Sequence, residues 1–127
     1  MMSESLIILG HGSRRMEANE ELKAIYNFVK ESNPDWQISY AFVEFAKPSL
    51  EEKVRELVDL GQRTIVITPV FLTVGNHLTQ GLPKRLKNLE LETPGLKLIM
   101  AEHLGADPLI AQLVSKRSAE ALAKLKA

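Results

Sequence analysis

Four short apolar runs, each followed by a stretch with helical periodicity, divide the chain. Leu6-Ile7-Ile8-Leu9 is uninterrupted and stops at Gly10, the pattern of a strand buried on both faces of a parallel sheet. From about Glu17, the positions Leu22, Ile25, Tyr26, Phe28 and Val29 recur at helical spacing until Ser32-Asn33-Pro34 ends them. Trp36, Ile38, Tyr40 and Phe42 alternate with Gln37, Ser39 and Ala41, which predicts a half-buried strand running to about Val43. Ser49, followed by Glu51 and Glu52, predicts a capped second helix whose apolar face is Leu50, Val54, Leu57, Val58 and Leu60, with Gly61 as its C-cap. The β-branched run from Thr64 to Leu72 predicts a central strand with Pro69 near its carboxyl end. A helix is predicted from Leu82 or Pro83 through Leu91, with Pro83 suited to a first helical position. Leu96 to Ala101 reads as a fourth strand, and Asp107-Pro108 opens a last helix that carries Leu109, Ile110, Leu113 and Val114.

Strand and helix alternate four times, and each connecting helix is long enough for a right-handed crossover. The expected architecture is therefore an α/β domain over residues 1–127: a four-stranded, mostly parallel sheet with helices on both faces. The alternation does not fix the strand order, and 2-1-3-4 is expected from doubly wound precedent alone. A chain of 127 residues supports one core of this kind and not two.

Composition narrows the chemistry. Apolar residues at 45% and charged residues at 25% are ordinary for globular domains. Sixteen basic and sixteen acidic side chains cancel, so no surplus of cations is available for nucleic acid, and none is expected as a partner. With no cysteine, disulfides, thiolate zinc sites and cysteine nucleophiles are excluded, leaving imidazole and carboxylate as metal donors. The Leu6–Leu9 run is too short for a membrane span or a signal core and follows Glu4 rather than a basic segment, so a cytoplasmic protein is expected.

In open α/β sheets ligands bind beyond the carboxyl ends of the strands. His11 follows the first strand, Glu44 the second, His77 the third and His103 the fourth, which puts all three histidines of the chain on one rim. One histidine after a strand is ordinarily a hydrogen-bonded loop residue, and glycine-flanked turns are common for conformational reasons alone. Three on one rim, with Gly10 and Gly12 around His11 and Gly75 ahead of His77, point to an open divalent-metal site built from two imidazoles and a carboxylate, with positions left for water or substrate. Arg14, Arg15, Lys47, Lys84 and Arg85 lie near the same rim and can receive carboxylates, although solvated surface charge is the better reading of Lys84 and Arg85 individually. Ser13 is not in a Gly-x-Ser-x-Gly elbow, and Arg15 stands where the last glycine of a dinucleotide fingerprint belongs.

The segments Gly10-His11-Gly12-Ser13-Arg14, Phe42-Val43-Glu44-Phe45-Ala46-Lys47-Pro48-Ser49, Phe71-Leu72-Thr73-Val74-Gly75-Asn76-His77 and Leu104-Gly105-Ala106-Asp107-Pro108-Leu109 resemble, in order and over nearly the whole chain, the small sirohydrochlorin chelatases of the CbiX/SirB type. The resemblance implies a flavodoxin-like, chelatase-like three-layer sandwich that inserts Co2+ or Fe2+, with Ni2+ a further candidate, into sirohydrochlorin on the way to cobalamin or sirohaem. It implies that His11 and His77 bind the metal and help to take protons from the pyrrole nitrogens, with Glu44 as a catalytic acidic position beside them. Gly12, Ser13, Arg14, Arg15, Gly75 and Asn76 are the implied substrate-binding positions, with Arg14 and Arg15 foremost for the carboxylates of the macrocycle. No cofactor is implied beyond the substrate metal. Because larger relatives hold two such halves face to face, a single half implies a homodimer. Gly81 stands where relatives carry an acid, which leaves a non-catalytic metal or tetrapyrrole carrier as the alternative, and His103 stands where many relatives have no ligand.

Overall fold

A computed structural model of the chain describes residues 4–126. Eight elements alternate as expected: β1 (Ser5–Gly10), α1 (Met16–Ser32), β2 (Gln37–Phe42), α2 (Leu50–Asp59), β3 (Thr64–Pro69), α3 (Asn76–Glu92), β4 (Lys97–Met100) and α4 (Pro108–Leu125). The four strands form one sheet in the order β2-β1-β3-β4, all parallel, so the expected 2-1-3-4 order holds. Among the described residues no helix is long and apolar enough to cross a membrane.

The sheet has two unequal sides. Ile7 and Leu9 of β1 and Ile65 and Ile67 of β3 are fully buried on one side, where they meet Leu50 and Val54 of α2 and Leu82, Leu86 and Leu89 of α3. The opposite side carries a smaller cluster in which Leu22 and Tyr26 of α1 cover Ile8, Phe42 and Tyr40. The main core thus lies under α2 and α3.

Local chemistry explains the helix ends. Ser49 Oγ accepts from the Glu52 N–H at 3.0 Å and the Glu52 carboxylate accepts from the Ser49 N–H at 2.8 Å, a reciprocal capping box. At the far end of α2, Gly61 has φ of 97°, its N–H bonds to the Val58 carbonyl, and the Gln62 N–H bonds to that of Leu57, so the helix stops as a Schellman turn. Asp107 caps α4 by accepting from the Leu109 N–H at 2.9 Å.

Two expectations are corrected. The central strand ends at Pro69 rather than Leu72: the Val70 N–H makes the last bond to β1, at the Leu9 carbonyl, and residues 70–75 then lead into the next helix. That helix, α3, begins at Asn76, six residues before Leu82, and keeps Pro83 inside it. Polar residues at 76, 77, 79 and 80 with Gly81 and Pro83 conceal the start, whereas Leu78, Leu82, Leu86 and Leu89 form the helical stripe that reveals it. The consequence is functional, since His77 lies in the first turn of a helix and not in a loop.

Candidate functional site at the carboxyl rim

Backbone hydrogen bonds continue past the strand ends and join the following segments in two pairs. Val43 N–H donates to the Gly10 carbonyl at 2.9 Å, Glu44 N–H to that of His11 at 3.1 Å, and Leu104 N–H to that of Phe71 at 3.0 Å. His11 and Glu44 are therefore neighbours along one rim, and His103 is anchored next to Phe71.

The closest approach is at Gly12. Its φ is 87°, and a β-carbon built there would fall 1.7 Å from the Glu44 carbonyl oxygen. Only glycine lets these two backbones pass, so Gly12 is what brings the Glu44 segment against the His11 turn. Gly10 serves packing instead, since a β-carbon there would meet the Leu22 side chain at 2.7 Å. Gly75 needs neither: its φ is −78° and open space surrounds it, which corrects the reading of a tight glycine turn ahead of His77.

The His11 ring stacks on the Phe71 ring with centroids 3.9 Å apart and planes inclined by 27°. Phe71 is buried and fixes the ring, while His11 itself is exposed to solvent. Phe71 also walls a hollow of about 330 Å3 whose lining includes Val74, Leu78, Leu82 and the half-buried His103. His77, next in the chain to Leu78, is exposed at the start of α3. A second hollow of about 320 Å3 runs from His11 and Ser13 along α1 to Ile25 and Val70. All three histidines border the same end of the sheet. Among the described residues, however, no three His, Cys, Asp or Glu side chains gather closely enough to hold an ion, so His11, His77 and Glu44 do not form a ready three-donor cage.

Ser13 and the arginines are held in defined ways. Ser13 N–H donates to Asn19 Oδ1 at 2.9 Å, Asn19 Nδ2 donates to the Ser13 carbonyl at 2.8 Å, and Ser13 Oγ accepts from the Arg15 N–H at 3.0 Å. Asn19, which the sequence reading passed over, thus locks the turn that leads out of His11. The Arg14 guanidinium lies 4.7 Å from the centre of the Phe45 ring, and Phe45, with φ of 65°, stands 56% exposed at the rim. This exposed aromatic was also missed, although its place after Glu44 marks it. Arg15 lies 3.9 Å from Glu17 and Lys47 3.9 Å from Glu52, exposed pairs that restrain their cations little. Asn76 is the exposed first residue of α3.

Arg85 is not free for an incoming carboxylate. It donates to both oxygens of Glu51 at 2.7 Å and to the Val43 carbonyl at 3.1 Å, clamping α3 to α2 and to the end of β2. The Arg85 hydrogen bonds hold the Glu51 carboxyl below the ordinary carboxylate range, and Glu51 in turn raises Arg85. Because the folded-state value is the depressed one, the stability from this pair is fully present above the ordinary carboxylate range and is lost only as pH falls through the lower folded value.

An open, doubly wound parallel sheet with histidines, glycine turns and an exposed aromatic gathered at its carboxyl rim defines the class, a small-molecule site at the strand ends of an α/β domain. Residues 5–121 match the CbiX family model, and the chain belongs to the CbiX family. It is 35% identical over 130 residues to the sirohydrochlorin cobaltochelatase of Methanosarcina acetivorans, covering 95% of this chain and 100% of that protein. Among solved structures it is similar to a cobalamin (vitamin B12) biosynthesis CbiX protein from Marinobacter aquaeolei VT8, with TM-score 0.84, 27% identity, and coverage of 95% of this chain and 98% of that one. The fold is also that of the sirohydrochlorin chelatase SirB from Bacillus subtilis subspecies spizizenii, solved in complex with cobalt, at TM-score 0.84 and 22% identity; 94% of this chain covers 51% of that longer one.

Proposed function

We propose that the protein inserts a divalent metal, Co2+ or Fe2+, into sirohydrochlorin, as a chelatase of cobalamin or sirohaem synthesis. The observation that carries the reading is the exposed His11 imidazole, held by its stack on buried Phe71 at the rim that His77 also borders. The full-length similarity to a protein named sirohydrochlorin cobaltochelatase supplies the substrate class.

Metal insertion requires an ion stripped of part of its water, a ring held with its nitrogens toward that ion, and acceptors for the pyrrole N–H protons. Neutral imidazole can both ligate a borderline ion and accept a proton at about pH 7. In this reading His11 and His77 pass the metal to the macrocycle and take up its protons, and Glu44 beside His11 receives them onward. Arg14, spread over Phe45, and Arg15 face the carboxylates of the substrate, with the backbone at Gly12, Ser13, Gly75 and Asn76 lining the approach. Each rim hollow lies at the lower end of small-ligand pocket volumes, so a macrocycle is held between two copies in a cytoplasmic homodimer rather than enclosed by one. No cofactor other than the substrate metal takes part.

The test follows the absorbance of sirohydrochlorin with Co2+ and with Fe2+. The expected result is conversion faster than the spontaneous reaction for at least one ion. Binding of the tetrapyrrole with no rate above the spontaneous one would replace this reading with a carrier.

A further inference from the structure

The loop that carries Glu44 and Phe45 leaves β2 and enters α2, and its ends are drawn together where the Phe42 N–H donates to the Pro48 carbonyl at 2.9 Å. Arg85 grips both ends of this loop at once. It donates to the Val43 carbonyl at 3.1 Å, on the peptide that joins Val43 to Glu44, and to both oxygens of Glu51, in the first turn of α2, at 2.7 Å. Arg85 belongs to α3, which carries His77 in its first turn, about 12 Å of helix rise away. One side chain thus ties the segment of Glu44 to the helix of His77.

A second arginine–carboxylate pair shows what Arg85 does beyond joining two helices. Arg55 of α2 donates to both oxygens of Glu92, the last residue of α3, at 3.1 and 2.8 Å, so the same two helices are also joined at the end of α3 away from His77. That pair is 55% and 47% exposed, whereas Arg85 and Glu51 are 30% and 25% exposed. The inner pair is the better shielded from water, and the planar guanidinium has a further N–H to give to the backbone beside Glu44. Val43 is buried, so its carbonyl loses a needed donor if Arg85 is removed. The Glu44 carboxylate also helps to raise Arg85, which places the two side chains within electrostatic reach of each other.

We propose that Arg85 is a positioning residue of the candidate site: by holding the Val43–Glu44 peptide to α3, it sets the place of Glu44 relative to His77. The inference rests on the chelatase reading above and adds a residue which that reading leaves unused. In it Arg85 meets neither metal nor macrocycle and acts through Glu44. Without the guanidinium, the Glu44 N–H still reaches the His11 carbonyl, but the tie to the helix of His77 is gone. His11 and Glu44 then keep each other while His77 is no longer held in the same frame.

The experiment compares Arg85→Met with Arg55→Met, using the kinetics of Co2+ insertion into sirohydrochlorin and residue-resolved amide exchange. Arg85→Met is expected to lower kcat about 10–100-fold, the scale for removing a group that orients a ligand from behind, with the KM for sirohydrochlorin changed by no more than about twofold. Its Glu44 amide should exchange about tenfold faster, beyond any change at the amides of β3, as for the loss of one charge-assisted hydrogen bond. Arg55→Met, which breaks the outer pair, keeps the wild-type kcat and the wild-type exchange at Glu44. Arg85→Lys keeps the charge but cannot span Glu51 and Val43 together, so it shows the same two changes and carries the test if Arg85→Met does not fold. Wild-type kcat or wild-type exchange at Glu44 in the Arg85 variants, or an equal loss of kcat in Arg55→Met, overturns the positioning role. Exchange needs no turnover, so faster exchange at Glu44 in a protein that inserts no metal defeats the chelatase reading and leaves the tie standing, whereas full turnover in the Arg85 variants defeats the positioning role alone.

Discussion

His11→Ala and His77→Ala are each expected to lower the Co2+-dependent conversion of sirohydrochlorin by about 10²-fold or more, the usual scale for removing a positioned proton-transfer group. The two should be separable by stability. His77 is exposed in the first turn of α3, so its replacement should leave thermal unfolding nearly unchanged. His11 gives up its ring stack on Phe71, and about 0.5–1.5 kcal/mol of stability should go with it. If both side chains act on one metal and one ring, the double variant should be little slower than either single one, because groups that act as a unit do not add. A His77→Ala enzyme with the wild-type rate would remove that residue from the chemistry, and additive losses would argue for two independent roles.

Gly12→Ala is the second large expectation. A φ of 87° costs a residue with a β-carbon about 1–3 kcal/mol on its own. The greater effect is steric, because the new carbon would sit 1.7 Å from a backbone carbonyl, and neither the His11 turn nor the Glu44 turn is a flexible side-chain end that can swing away. The two segments must separate, breaking the Glu44 N–H to His11 carbonyl bond and shifting both candidate groups. Activity should fall at least as far as in His11→Ala, with a lowered unfolding midpoint. Gly75→Ala is the matched control: with φ of −78° and no atom within 4 Å of the added carbon, it should fold like wild type. A Gly12→Ala protein with normal stability and rate would mean that the close approach has no bearing on the site.

How much of this was legible in the residues varies with the physics involved. The alternating strands and helices and the Ser49 and Asp107 caps follow from local patterns, and the structure has them, whereas the sheet order, also as expected, rested on doubly wound precedent and not on any local signal. That His11, Glu44, His77 and His103 border the same end of the sheet follows from topology, since His11, Glu44 and His103 come shortly after the ends of β1, β2 and β4 and His77 lies in the helix that follows β3. The start of α3 was hidden because Gly81 and Pro83 are read as breakers, although tertiary burial of Leu78, Leu82 and Leu86 outweighs them. The Arg85–Glu51 clamp spans 34 positions and the His11–Phe71 stack 60, distances over which no local pattern carries information. The same holds for Gly12, whose turn was read correctly but whose contact with the Glu44 carbonyl is visible only in three dimensions. For α4 the sequence announced an apolar face, and the structure added that, among the described residues, none of its side chains is fully buried.

The central claim is that His11 and His77 serve one metal ion at a common mouth, and the most direct measurement is a titration of the protein with paramagnetic Co2+ followed by the ring resonances of the three histidines. The account predicts that the His11 and His77 signals broaden together, over the same range of added metal, and that neither responds when the other is replaced by alanine. Broadening of one of these two rings while the other stays sharp through saturation would contradict it.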